Sequence, residues 1–161
     1  LTGQRQLARV SKTPGRTQLI NFFLVETERY LVDLPGYGYA QVPDAVRRHW
    51  QKLLERYLHE RMALCGLLLL MDIRHPLTAL DRQMLDGCIY RQLPAHILLT
   101  KADKLSRGAA LTALHQMERT LKTDYPQASA QLFSATARLG ISEAHNRLDE
   151  WLGIFAAGVS A

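Results

Sequence analysis

The chain has 161 residues, 47% of them hydrophobic and 22% charged, enough for one well-filled core and too few for several domains. Twenty Lys and Arg against fifteen Asp and Glu give a formal charge of +5, which favours an anionic partner without naming one. Two isolated cysteines, Cys65 and Cys88, exclude a disulfide framework and a cysteine-based zinc site, and the apolar run 67–71 is far short of the roughly 20 residues that span a bilayer; no membrane partner is expected, and reduced thiols fit a cytoplasmic protein.

Residues 1–17 are basic and broken by Gly and Pro, which reads as a switch-like loop. A single domain is expected over 1–161, with this loop, an α/β core over 18–155 and a tail over 156–161. The core opens with an apolar, aromatic strand at 19–25, a turn at 26–29 and a second strand from Tyr30 to Asp33, an antiparallel hairpin. From Pro43 the period becomes helical, with Val46, Trp50, Leu53, Leu54, Tyr57 and Leu58 on one face. The run 66–72 is continuously apolar up to Asp72, the pattern of a strand buried on both sides of a parallel sheet. Then follow a helix over 77–92 with Leu80, Met84, Leu85 and Ile89 inward, a strand over 96–99 ending at Thr100, and a helix over 107–123 with Leu111, Leu114, Met117 and Leu121 inward. A short strand over 131–133 ends at Ser134, and a helix over 141–155 closes the chain. Strands alternating with helices predict a three-layer α/β fold, a sheet with helices on both faces. Ligands of such sheets bind beyond the carboxyl ends of the strands, where Asp33, Asp72, Thr100 and Ser134 all fall.

Asp33-Leu34-Pro35-Gly36 offers a carboxylate to a hard cation, directly or through water, and a glycine whose N–H can approach a phosphate. The plainer reading is a strand end followed by a turn. Thr100-Lys101-Ala102-Asp103 is more specific, because a carboxylate can accept from guanine N1–H and its amino group together, a donor pair adenine lacks. Its plain alternative is a solvated loop in which Asp103 pairs with Lys101 or Lys104. Ser134-Ala135 follows the last strand, where small residues let backbone N–H groups reach the guanine oxygen. Thr17, in the loop 12–17, could place its hydroxyl on magnesium. Asp72 could orient groups around that metal, and His75 before Pro76 reads as a turn residue. Arg47, Arg48, Lys52 and Arg56 line the polar face of the first helix and, with Arg16, are candidate RNA contacts; a solvated face is the alternative.

These strings, in this order, resemble the EngB-type (YihA/YsxC-type) GTP-binding proteins, from about residue 6 to 155. The resemblance rests on Ser11 to Gln18, Val32 to Tyr39, Met71 to Leu77 and Leu98 to Lys104. It implies a P-loop GTPase-like fold, GTP or GDP as ligand, Mg2+, GTP hydrolysis, and a role in bacterial large ribosomal subunit assembly with a link to cell division and septation. Carried over by position, Thr17 and Asp33 are the magnesium residues, Gly36 senses the γ-phosphate, and Thr100, Lys101 and Asp103 hold guanine with Ser134 and Ala135 in support. Tyr37 stands where many small GTPases place a water-orienting glutamine, so no catalytic side chain is assigned, and slow turnover dependent on a partner or a monovalent cation follows. None of the ten glycines precedes a lysine, so the phosphate-wrapping Gly-Lys-Ser/Thr loop is missing. On the resemblance we expect an N-terminally truncated domain without its first strand, that loop and the first helix, and impaired on its own; a monomer is expected. Two other functions compete. One is a non-enzymatic RNA- or ribosome-binding domain with a decayed nucleotide site. The other is a phosphoacceptor domain using Asp33, Asp72 and Lys101, which leaves Asp103 unexplained.

Overall fold

A computed structural model describes residues 20–34 and 44–154. The chain divides into two compact units, residues 2–61 and 62–161.

In the first unit β1 (Asn21–Glu26) and β2 (Arg29–Asp33) form the expected antiparallel hairpin, with Phe22 opposite Val32 and Leu24 opposite Tyr30. Phe22 meets Tyr30 edge to face, and the Arg61 guanidinium lies 5.7 Å from the Phe22 ring centre and 5.8 Å from that of Tyr57. Helix α1 (Asp44–Glu60) buries Leu54 and Leu58, while Arg48, Lys52 and Arg56 are exposed.

The second unit is a parallel sheet in the order β3 (Leu67–Asp72), β4 (Ala95–Thr100), β5 (Ala128–Leu132). The register is unbroken: Leu69 pairs with Ile97 and Ile97 with Ala130, and Asp72 lies beside Thr100. Helix α2 (Ala79–Arg91) carries the chain from β3 to β4, and α3 (Arg107–Asp124) carries it from β4 to β5 and packs on β5. Leu98 joins Phe133 and Ala144 of α4 (Ile141–Leu152), with Leu68 and Ile141 packed against them, so α4 covers one face of the sheet. The opposite face carries Leu69, Met71, Ile97 and Leu99, all buried. This helix-and-parallel-sheet arrangement is the α/β, P-loop GTPase-like architecture.

Three details differ from the periodicity. Leu70 of β3 is 61% exposed, and β3 is an edge strand among the described residues. Helix α2 turns Asp81, Met84, Leu85 and Cys88 inward and leaves Ile89 exposed. The reason is its first turn: the Thr78 hydroxyl accepts from Asp81 N, the Asp81 carboxylate accepts from Thr78 N at 2.8 Å, and this reciprocal cap draws Asp81 under the helix. Helix α3 likewise buries Ala110 in place of Leu111. Burial pushes the Cys88 thiol up to about 12, which leaves it an unreactive core side chain.

One polar group sits deep in the sheet. His96 of β4 is buried, and its Nδ1 and Nε2 lie 2.7 Å from Ser129 Oγ and 2.9 Å from Gln131 Oε1. Gln131 Nε2 donates to Gly140 O at 2.6 Å, which turns the amide oxygen toward His96. The Nε2 proton therefore faces Gln131, and Nδ1 accepts from the Ser129 hydroxyl. Gly140 has φ +76°, and a Cβ there would fall 2.2 Å from Leu132 O. At Gly66 a Cβ would meet the Trp151 ring at 2.3 Å, so the indole of α4 rests on bare backbone at the start of β3.

Two predictions follow from this buried end of the sheet. Desolvation, the largest influence, holds the His96 pKa below its ordinary value, with Arg147 adding to the effect and Gln131 opposing it. The unfolded chain then binds a proton that the folded one refuses, so the contribution is intact above about pH 6.5 and is lost as pH falls below it toward the folded value. Denaturant midpoints measured from pH 8 to pH 5 should drop, and His96→Gln should flatten that slope. Gly140→Ala should cost about 2 kcal/mol or more in chemical denaturation, since it combines left-handed backbone with a clash against a carbonyl.

Candidate guanine-binding edge

The carboxyl ends of β3 and β4 and the segment after β5 are knitted together beyond the strands themselves. Ile73 N donates to Thr100 O at 3.1 Å, Phe133 N to Leu99 O at 2.9 Å, and Ala102 N to Phe133 O at 3.1 Å. Thr100 Oγ1 donates to Met71 O at 2.9 Å, so its hydroxyl is spent on tying β4 to β3. Lys101 then adopts left-handed backbone, φ 60° and ψ 29°, which turns the chain into a single 3-10 turn over Ala102–Lys104. The buried Ala102 anchors this turn, and Asp103 projects from it.

Asp103 is gripped from two sides. Ser134 Oγ donates to its Oδ1 at 2.6 Å, and Lys104 Nζ lies 3.2 Å from its Oδ2. The Ser134 bond first, then Lys104, holds the carboxyl below the usual carboxylate range, so it is an ionised acceptor at neutral pH. Each oxygen keeps a further lone pair for an incoming donor. The Lys104 pair is the contact that the solvated-loop reading anticipated, whereas the Ser134 bond joins residues 31 positions apart and exceeds what a solvated loop needs. Ser134 is 1% exposed and is itself fixed: its Oγ accepts from Ala137 N at 3.1 Å and lies 3.2 Å from Thr136 Oγ1, and its backbone exchanges both hydrogen bonds with Leu139. Ala135 follows directly.

Asp72 caps β3 at the same edge. Lys101 Nζ donates to its Oδ2 at 3.0 Å, and Arg74 grips both oxygens. The partners of Asp72 are two cations. His75 N donates to Asp72 O at 2.9 Å, which makes the His75 segment a turn, as expected.

The remaining sequence candidates lie elsewhere. Asp33 ends β2 as an exposed carboxylate, with Asn21 Nδ2 donating to Oδ2 at 3.4 Å. Arg48, Lys52 and Arg56 are exposed on α1, and Arg56 Nε donates to Glu60 at 2.9 Å, an i,i+4 pair of the kind a solvated face carries. Arg16, Thr17, Gly36 and Tyr37 lie outside the described residues, as does the Arg47 side chain. Arg74 is not among those candidates, and its spacing of two from a strand-end aspartate is the sequence signal for its contact with Asp72.

Ser134→Ala removes a buried donor and leaves Ala137 N without its acceptor. It should lower unfolding free energy by about 1–3 kcal/mol, read by urea titration, and an unchanged midpoint would contradict the role given to this hydroxyl.

The comparisons with known proteins converge on one family. The model of the 50S ribosome-binding GTPase family matches residues 1–101. Proteins named probable GTP-binding protein EngB are similar over nearly the whole chain. That of Nitrosococcus oceani is 56% identical over 154 residues, 96% of this chain and 77% of the relative, and that of Nitrosomonas europaea is 53% identical over 159 residues, 99% and 72%. A crystal structure of a probable GTP-binding protein engB superposes with a TM-score of 0.70, covering 89% of this chain and 87% of its own at 14% identity, a likeness of fold. With more than half of the sequence shared along 154 residues, and the GTPase model matched through Lys101, the chain belongs to the EngB family of GTP-binding proteins.

Proposed function

We propose that this chain binds guanine nucleotide at the edge formed by Thr100, Lys101, Asp103, Ser134 and Ala135, with Asp103 accepting from the base, and that it hydrolyses GTP. The observation that carries the reading is the 2.6 Å bond from the buried Ser134 hydroxyl to Asp103. It fixes an ionised acceptor in one rotamer before any base arrives, which is the preorganisation that selectivity for a donor pair requires.

Magnesium belongs to the same proposal. A hard cation that keeps several waters needs one carboxylate beside the phosphate oxygens, and the exposed, lightly bonded Asp33 suits it. Thr17 would add its hydroxyl and Gly36 would face the γ-phosphate. The ion's contribution, when bound, is to neutralise charge on the phosphates; Asp33 would hold it at the end of β2.

The cellular part of the reading is assembly of the large ribosomal subunit in the cytoplasm, by a monomer, with a link to cell division and septation. Its support is the match to the 50S ribosome-binding GTPase family and the charge distribution. Residues 2–61 hold ten basic against six acidic side chains, whereas residues 62–161 hold ten against nine. The excess therefore gathers in the unit bearing Arg16, Arg47, Arg48, Lys52 and Arg56, the residues assigned to RNA phosphates.

Titration of the full-length protein with a fluorescent guanine nucleotide, against an adenine analogue and with or without magnesium, tests the nucleotide reading. Asp103→Ala should weaken guanine binding by about 100-fold or more, the scale of losing two hydrogen bonds to a charged acceptor. Chelation of magnesium should weaken GTP binding. GTP hydrolysis untouched by Asp103→Ala would refute the base assignment, and salt-sensitive RNA binding without any nucleotide binding would favour the non-enzymatic alternative.

A further inference from the structure

The Asp72–Arg74–Lys101 cluster is not accounted for by base recognition through Asp103 or by the metal. Asp72 sits at the last position of β3, directly beside Thr100 in the parallel register, so the residue after Thr100 emerges next to its carboxylate. Arg74 surrounds that carboxylate: its Nε donates to Oδ1 at 2.9 Å, its Nη2 to Oδ2 at 2.6 Å, and its backbone N to Oδ1 at 3.0 Å. This is a two-pronged guanidinium clamp reinforced by the main chain, which leaves Asp72 one orientation. Into that fixed acceptor Lys101 Nζ donates at 3.0 Å.

A lysine stem carries four rotatable bonds, and immobilising it is entropically costly. Here the cost is met before a ligand arrives. Both ends of the Lys101 side chain are specified: its backbone by the left-handed turn that presents Asp103, and its ammonium by Asp72. The apolar methylenes between them lie two residues from the base-reading carboxylate. Such methylenes are apolar and suit the flat face of a base.

We propose that Asp72, oriented by Arg74, is a positioning residue of the guanine site, acting through Lys101 by holding its side chain extended as one wall of the base slot. The inference rests on the assignment of Asp103 and Lys101 to guanine, and it concerns the base alone. Its effect is therefore the same for guanosine, GDP and GTP, whatever the number of phosphates.

The test is a set of nucleotide titrations on the full-length protein and its D72N, R74A, K101A, D103A and D72N/K101A variants, with thermal midpoints recorded alongside. D72N keeps the side-chain shape while discarding the charge, and R74A alters only an exposed side chain, so at least one reports on a folded protein. D72N should weaken guanosine, GDP and GTP by a common factor of about ten, the scale of one charge-assisted hydrogen bond. R74A should act in the same direction. In the K101A background D72N should cause no further loss, a non-additivity that a merely structural aspartate would not produce. Full binding by D72N while D103A binds weakly would overturn the positioning role and leave base reading by Asp103 standing. Additive losses in the double variant would overturn it as well. Undiminished guanine binding by D103A would remove the base assignment, and this inference with it.

Discussion

The feature on which the second unit depends is the unbroken parallel register of β3, β4 and β5. Parallel strands in register end together, and their ends are where the chain stops being apolar: Asp72 after Leu67–Met71, Thr100 after Ile97–Leu99. The ladder also continues past the strands, through Ile73 to Thr100, Phe133 to Leu99 and Ala102 to Phe133. Main-chain bonds, which no side-chain rotamer can loosen, therefore place the Lys101 turn against the Ser134 segment. A one-residue slip would move Leu98 off the α4 face and carry Asp72 away from Lys101 at once. Packing energy and site geometry are enforced by the same constraint.

The edge uses two carboxylates in two ways. Asp72 is saturated by cations, with Arg74 on both oxygens and Lys101 on one, and these contacts hold its carboxyl far below the ordinary range. Its side chain remains about a quarter exposed, so the cluster contributes little to global stability and serves geometry. Asp103 has its principal partner in a buried neutral hydroxyl and keeps lone pairs to offer. A carboxylate clamped on both oxygens by a guanidinium is a poor acceptor for a ligand, while one held by a hydroxyl on one oxygen and a single ammonium on the other keeps lone pairs for it. The environments thus separate a residue that holds a neighbour from one that can read a base.

Much of this was legible in the sequence, and particular residues show why the rest was not. The long apolar run before Asp72 and the short one before Thr100 announce their strands, since a strand covered on both faces has no reason to alternate. Leu70 departs from that pattern on a strand that is an edge among the described residues, and edge position depends on partners that a local run does not encode. The inward turn of Asp81 is hidden because a capping carboxylate looks polar to any periodicity. Strand β5, read as 131–133, spans Ala128–Leu132: Ala-Ser-Ala-Gln has weak strand propensity, and its pairing with β4 overrides it. Thr100, Lys101, Asp103 and Ser134 could be singled out by order and type. That Ser134 grips Asp103 and that Asp72 turns to Lys101 are facts of register, arising between residues about 30 positions apart.

The polar chain around the buried His96 completes the support of the site. Buried polar groups are costly unless every member is satisfied, and His96, Ser129, Gln131 and the Gly140 carbonyl satisfy one another in sequence. An apolar trio would hold β4 to β5 as firmly, but it could not specify where the loop leading to α4 begins. Gln131 does so by reaching Gly140, whose left-handed backbone brings the chain close enough to accept its amide. The loop 134–140 is thereby pinned at its far end by Gln131 and at its near end by the paired backbone bonds between Ser134 and Leu139. Ser134 can hold Asp103 in one place because its own loop is tied into the core, so a histidine in the middle of the sheet contributes to the precision of a carboxylate at its edge.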